Sequence, residues 1–226
     1  MDLLFSDAFD YPDGLITNEF AYQHPDDPGA HLSQHWTATS GSLFAQGGAG
    51  WSGVPDVADQ PVDPESEDRN NSARLRAITK RADFFSVTIT FTLTNVGLVT
   101  TSLGERDIDG VHVFIRRQTE DLKYYVTVNR RDNIVVIKRK DDEGYEQLNS
   151  AVAFNVPFGM PQRVRIDSWT VASRGVAFRM FVDDVLIQEA LDDSEEAIPV
   201  AGAVGIRGDN CEFRIDNFEV REFAGP

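Results

Sequence analysis

The chain has a single cysteine, Cys211, among 226 residues. No disulfide can form within it, so stability must come from an apolar core, from bound ions or from association with other subunits. Secreted domains often carry disulfides, and their lack favours synthesis in the cytoplasm. Long apolar runs are missing too. None approaches the roughly 18 residues that a membrane span needs, so membrane insertion is not expected. Met1 to Asp7 contain neither a basic start nor an extended apolar stretch, so no secretory leader is expected, and export would follow cell lysis or incorporation into a virion. Basic residues are scarce, 21 Lys and Arg against 37 Asp and Glu, for a formal net charge of −16. That balance argues against nucleic acid, whose binders neutralise phosphate with basic patches. It argues equally against anionic membranes. The acidic excess either serves solubility or gathers carboxylates around calcium. Nucleophile-elbow, phosphate-loop and dinucleotide signatures are all absent.

What is present reads as strand. With 41% hydrophobic residues and 10% aromatics the chain can bury a substantial core. No fixed-period repeat and no Pro/Gly linker divides it, so residues 1–226 are expected to form one domain. Val87-Thr88-Ile89-Thr90-Phe91-Thr92-Leu93 alternates strictly, with its apolar members facing a core and its threonines facing out. Val111 to Arg116 alternates likewise, with Val111, Val113 and Ile115 on one face and His112, Phe114 and Arg116 on the other. Tyr124 to Asn129 and Ile134 to Lys138 flank Arg130-Arg131-Asp132-Asn133, which predicts a hairpin. Val176 to Val182 and Val185 to Ile187 flank Asp183-Asp184, a second hairpin. Arg163 to Trp169, Ala203 to Arg207 and Glu212 to Val220 supply further strands, and Gly205 to Asn210 reads as a turn before the last. Short strands about every 10 residues, with no helical pattern between them, predict an all-β sandwich or jelly roll of two antiparallel sheets. Residues 10–35 and 45–72 are rich in Asp, Pro, Gly, Asn and His and read as long loops around a hairpin at Trp36 to Phe44. Val54 to Asn71 is acidic and reads as a segment that orders on a partner.

Three groups of residues together carry a resemblance. Leu4-Phe5-Ser6-Asp7-Ala8-Phe9-Asp10, then Pro12-Asp13-Gly14 and Trp36 to Leu43, are similar to the opening strands of laminin G-like and concanavalin A-like modules. Gly110 to Arg116 followed by Tyr124-Tyr125 resembles their central strand pair. Gly202 to Arg207 with Phe213 to Val220 resembles their closing strands. The likeness extends to uncharacterised actinobacterial proteins and actinobacteriophage minor tail proteins. It implies a concanavalin A-like jelly-roll sandwich, contact with glycan, and a structural calcium joining the first and last strands at Asp7 and Asp216.

Glycosidase chemistry needs two carboxylates about 5–5.5 Å apart in retaining enzymes. No strand offers such a pair; Glu65-Ser66-Glu67-Asp68 lies in a polar loop and Asp107-Ile108-Asp109 precedes a strand. Jelly-roll lyases use His and Tyr with Arg or Asn, and His112, Arg116, Tyr125 and Asn129 are of those types, although the lyase motifs themselves are missing. A sugar groove needs an aromatic platform and planar hydrogen-bonding groups. Phe114, Tyr125, Arg116, Arg131 and Trp51 are candidates, Trp51 standing in a Gly-rich loop. Trp36 and Trp169 read as core. His24, His31 and His35 lack the companions a zinc site needs. The leading expectation is a non-catalytic carbohydrate-binding module contacting polysaccharide or cell-surface glycan, carried as a homo-oligomer among other virion subunits. The alternatives are a polysaccharide lyase using His112 and Tyr125, and a purely structural protein whose acidic loops bridge subunits.

Overall fold

The computed structural model describes residues 2–53, 74–100, 104–171 and 175–225; the segment Val54 to Asn71, with Glu65 to Asp68, lies outside them. In chain order the elements are β1 (Leu3–Asp7), β2 (Gly14–Asn18), α1 (Glu19–Gln23), β3 (Trp36–Ser40), β4 (Ser42–Ala45), β5 (Gly50–Trp51) and β6 (Arg74–Thr79). Then follow β7 (Val87–Leu98), β8 (Gly110–Arg117), β9 (Lys123–Arg130), β10 (Ile134–Val135), β11 (Ile137–Asp141), β12 (Gly144–Gln147) and β13 (Val152–Ala153). The chain closes with β14 (Pro161–Val171), β15 (Gly175–Val182), β16 (Val185–Asp192), β17 (Ala203–Asp209) and β18 (Cys211–Glu222).

Two antiparallel sheets form. A nine-stranded sheet runs β16-β15-β14-β7-β18-β5-β4-β2, with β1 also on β18; a seven-stranded sheet runs β12-β11-β9-β8-β17-β6-β3. The strict alternation in β7 puts Val87, Ile89, Phe91 and Leu93 into the core between them. Asp183 and Asp184 both take positive φ, the backbone of a two-residue hairpin turn.

Three expected local structures come out differently, and chain crossing explains two of them. Trp36 to Phe44 is no hairpin: β3 pairs with β6 in one sheet and β4 with β2 and β5 in the other, the chain crossing at Gly41 with φ 69°. Likewise β17 and β18 lie in different sheets, so Gly205 to Asp209 is strand and the crossing is confined to Asn210 at φ 43°. In the third, the strand after Asn133 breaks at Val136. There β10 leaves to pair with β13, while Ile137 resumes opposite Val126. Thr127 Oγ1 accepts from the Val136 amide at 2.7 Å and replaces the lost ladder bond. The expected loop 10–35 also holds β2 and α1. Buried Asn18 organises it, its Oδ1 accepting from Ala21 and His31 amides and its Nδ2 donating to Gly29 O at 2.8 Å.

A buried polar knot joins the sheets at one edge. Asp192 of β16 accepts from Arg139 of β11 at 3.1 Å, from the Tyr124 hydroxyl of β9 at 2.8 Å and from Ser194 at 2.6 Å. Burial opposes the charged carboxylate, but the hydrogen bonds from Ser194, Tyr124 and Arg139 outweigh it and hold its pKa below the usual value. Asp192→Ala leaves Arg139 and Tyr124 facing each other without their acceptor and is expected to cost about 3 kcal/mol, read as a lower urea midpoint. Because the folded-state pKa is depressed, wild-type stabilisation from Asp192 is complete above the unfolded-chain value and is lost as pH falls through the folded one. The variant should lack that part of the acid sensitivity.

Candidate functional site

The inner face of the seven-stranded sheet is apolar: Leu75 and Ala77, Val111 and Val113, Val126 and Val128, Val204 and Ile206 all join the main core. Period two then sends their neighbours to the outer face. Those neighbours are Arg74 and Arg76 on β6, His112 and Phe114 on β8, Tyr125 and Thr127 on β9, Lys138 and Lys140 on β11, and Arg207 and Asp209 on β17. All of these except the fully buried Phe114 line a cavity of about 560 Å³, walled by Arg106 and Ile108 before β8, by Glu120 and Asp121 between β8 and β9, and by Tyr145 of β12.

Tyr125 also belongs to a small buried apolar cluster with Ile78, Phe114 and Ala203. Tyr125 meets Phe114 edge-on, with ring centroids 4.9 Å apart, and His112 at 6.3 Å. Lys123 lays its ammonium 4.8 Å from the Phe114 ring centroid and pairs with Glu120 at 2.8 Å. Burial pulls the Lys123 pKa down to about 7 despite Glu120.

Asp209 organises the centre. Its carboxylate lies 2.7 Å from Arg207, 3.3 Å from Arg74 and 3.6 Å from His112. Burial opposes the charge on both Asp209 and Arg207, but their mutual attraction prevails and keeps both ionised. Arg207 then donates to the Tyr125 hydroxyl at 3.0 Å, which lies 3.2 Å from the Tyr145 hydroxyl. Tyr145 is exposed at the groove rim. His112 Nε2 lies 3.1 Å from the Ile108 carbonyl, which can only accept, so Nε2 carries the proton. Nδ1 is buried without a partner. Burial, together with the charges of Arg207 and Arg130, lowers the His112 pKa to about 4 against the pull of Asp209.

This arrangement suits binding better than proton transfer. A general base works best with a pKa near the operating pH. His112 is far below that, with one nitrogen occupied and the other enclosed. Burial raises the Tyr125 pKa, and its hydroxyl is already engaged by Arg207 and Tyr145. The three groove carboxylates each lie against a cation: Glu120 on Lys123, Asp121 on Lys140, Asp209 on Arg207.

Of the residues singled out in the sequence, His112 and Tyr125 line the groove, while Phe114 is fully buried and packs edge-on against Tyr125. Arg116 does not join them. It sits at a β-bulge opposite Ala203 and Gly205 with φ 51°, which turns its side chain away from the His112 face. Its guanidinium bonds Ile198 O and Thr170 Oγ1 at 3.1 and 3.0 Å instead. A second bulge, where Val111 faces Asn129 but His112 faces Thr127, brings Arg130 to the groove in place of Asn129. Arg131 lies outside it, bonded to Val99 O at 3.0 Å and paired with Glu105 at 3.4 Å. Trp51 is not on a free loop. It forms β5 of the other sheet, donates to Glu212 at 2.9 Å and packs on Phe44. Trp36 is wholly buried, whereas Trp169 is half-exposed and stacks on Phe223.

The Asp7 and Asp216 carboxylates are both engaged by donors within the chain. β1 does join β18, but the Asp7 carboxylate is taken by the Phe9 amide, the Tyr11 hydroxyl and the Trp36 indole at 2.7–2.8 Å. Asp216 accepts from the next amide, Asn217. Among the described residues no three His, Cys, Asp or Glu side chains gather as metal ligands. Sequence reasoning missed Arg74, Arg76, Lys138, Lys140, Arg207, Asp209 and Tyr145. Part of their signal was charge at alternate positions, with apolar residues between in Arg74-Leu75-Arg76-Ala77 and with Arg139 between in Lys138-Arg139-Lys140.

No protein-family model and no curated protein sequence matches the chain. Solved structures do resemble it. Carbohydrate-binding module CBM66 from Bacillus subtilis superposes with a TM-score of 0.58 at 10% identity, covering 84% of this chain and 99% of that one. The Emp46p carbohydrate recognition domain gives 0.57 at 10% identity over 96% and 98%. A doubly substituted alginate lyase, Aly36B, in complex with alginate tetrasaccharide gives 0.52 at 9% identity over 96% and 97%. At such identities the likeness establishes the fold, a concanavalin A-like jelly-roll sandwich.

The His112 environment predicts a pH effect. A histidine depressed from 6.5 to about 4 is charged in the unfolded chain before it is charged in the folded one. Stability should therefore fall as pH drops from 6.5 towards 4, by roughly 3 kcal/mol from this residue. Urea titrations across that range should show the slope in wild type and a shallower one in His112→Gln.

Proposed function

We propose that this chain is a glycan-binding module that seats a polysaccharide in the groove on the outer face of its seven-stranded sheet. The observation that carries the reading is the groove itself. An exposed aromatic rim at Tyr145, backed by Tyr125 and ringed by guanidinium groups, supplies the flat apolar contact and planar donors that sugars require. The names of two similar structures, a carbohydrate-binding module and a carbohydrate recognition domain, support it. The motif resemblance extends the reading to a virion tail component, in which several copies would act together by avidity. Light scattering on the purified chain reads the copy number, and a monomer would remove that extension.

Elimination at a uronate is the second reading, favoured by the Tyr125–Arg207 pair inside the groove and by the likeness to an alginate lyase. The enclosed, weakly basic His112 counts against it. Ultraviolet absorbance of unsaturated products, abolished by Tyr125→Phe, would establish it.

Binding to a glycan array should be weakened on the order of 10-fold by Tyr145→Ala, the loss of one stacking contact. Trp51→Ala, on the other sheet, should leave binding unchanged. Sensitivity to Trp51 but not to Tyr145 would move the site away from this groove.

A further inference from the structure

We infer that the groove takes a polyanionic glycan, one bearing carboxylate or sulfate groups along its repeat; the inference rests on the groove being the glycan site. Although the chain carries a net charge of −16, the described residues that line the groove include seven of its 21 basic residues and three of its 37 carboxylates. Arg74, Arg76 and Arg207 rise from β6 and β17, Lys138 and Lys140 from β11. Arg106 and Arg130 flank them.

The internal carboxylates do not cancel this excess. Asp209 is shared between Arg207 and Arg74. Glu120 is shared between Lys123, Arg76 and Arg117. Lys138 has neither a hydrogen bond nor an ion pair among the described residues. Its ammonium stands 6.0 Å from the Tyr145 ring, beside the platform on which a sugar would lie. Burial and the nearby Arg130 lower its pKa against the weaker pull of Asp132. Arg106 pairs with Asp109 at 3.2 Å, and its enclosed Nη2 has no hydrogen-bond partner among the described residues.

A neutral sugar would leave the Lys138 ammonium and the unbonded Nη2 of Arg106 as it found them. A carboxylate or sulfate would pair with them, and guanidinium forks match both groups bidentately. The acidic remainder of the surface does not forbid such a ligand. Charges farther away than about 8 Å are largely screened at physiological ionic strength, whereas groove cations act at contact. Single-stranded nucleic acid fits less well, because it stacks successive bases on successive aromatic faces. The groove exposes one such face, Tyr145.

The test is titration calorimetry on the full chain with four probes: an alginate oligosaccharide, a sulfated galactan oligosaccharide, a neutral gluco-oligosaccharide and a single-stranded oligothymidylate. At least one anionic glycan is expected to bind tightest and to weaken as salt is raised. Lys138→Gln should weaken it roughly 10-fold, and Lys138→Arg should largely restore it. Lys140→Gln gives a second reading should Lys138→Gln fold poorly, judged by circular dichroism. Which anionic probe wins distinguishes carboxylate from sulfate. Tyr145-dependent binding of the neutral probe, equal to or tighter than both anionic ones, would overturn the inference and leave the glycan site standing. Tighter binding of the oligothymidylate would overturn it in favour of nucleic acid. Anionic binding indifferent to Lys138, Lys140 and Tyr145 would overturn both the inference and the site.

Discussion

A single buried carboxylate sets the terms for the seven-stranded sheet. Asp209 ends β17, a strand flanked by β8 and β6, and three neighbours converge on it: Arg207 on its own strand, Arg74 on β6 and His112 on β8. Two guanidinium groups this deeply buried would be prohibitively costly alone. With Asp209 between them they become fixed donors, and Arg207 passes that order to Tyr125 and on to Tyr145. The glycines of β17 make room for this. A Cβ at Gly205 would stand 2.7 Å from Ala77 O and 3.1 Å from Phe114, and one at Gly208 would press on the Phe213 ring at 2.4 Å. The strand can thus pack tightly on both sides while Arg207 and Asp209 carry charge.

The two sheets divide the work. The nine-stranded sheet supplies the long apolar alternation of β7 and β18 that seals the core, and the Asp192 knot ties its edge strand β16 to β9 and β11. The seven-stranded sheet presents polar groups outward from strands whose inner faces belong to that core. Since the groove residues of β6, β8, β9, β11 and β17 share their strands with core residues, that part of the groove is as rigid as the fold. The β-bulges then choose among the polar residues. One withdraws Arg116 from the groove and gives it to Ile198 and Thr170; the other exchanges Asn129 for Arg130.

Net charge and local charge differ in this chain. A net charge of −16 describes the far field, and it weighs against nucleic acid and anionic membranes. Binding is decided at contact distance, where the sheet concentrates cations from β6, β8–β9, β11 and β17 that are scattered between positions 74 and 207.

Period-two patterning alone determined the all-β class, most strand positions and the core faces, because alternation is a property of neighbours in the chain. It also paired His112 with Phe114 correctly, since they share one uninterrupted stretch of strand. Which sheet a strand joins was not legible. Trp36 to Ser40 and Ser42 to Ala45 look like a hairpin until long-range pairing with β6 and β2 separates them. Nor were the bulges legible, because an extra residue registers only against a partner strand. The groove followed from both. Its charges come from four strands and two connecting segments far apart in sequence, and only the tertiary hydrogen-bond register of the sheet brings them onto one face.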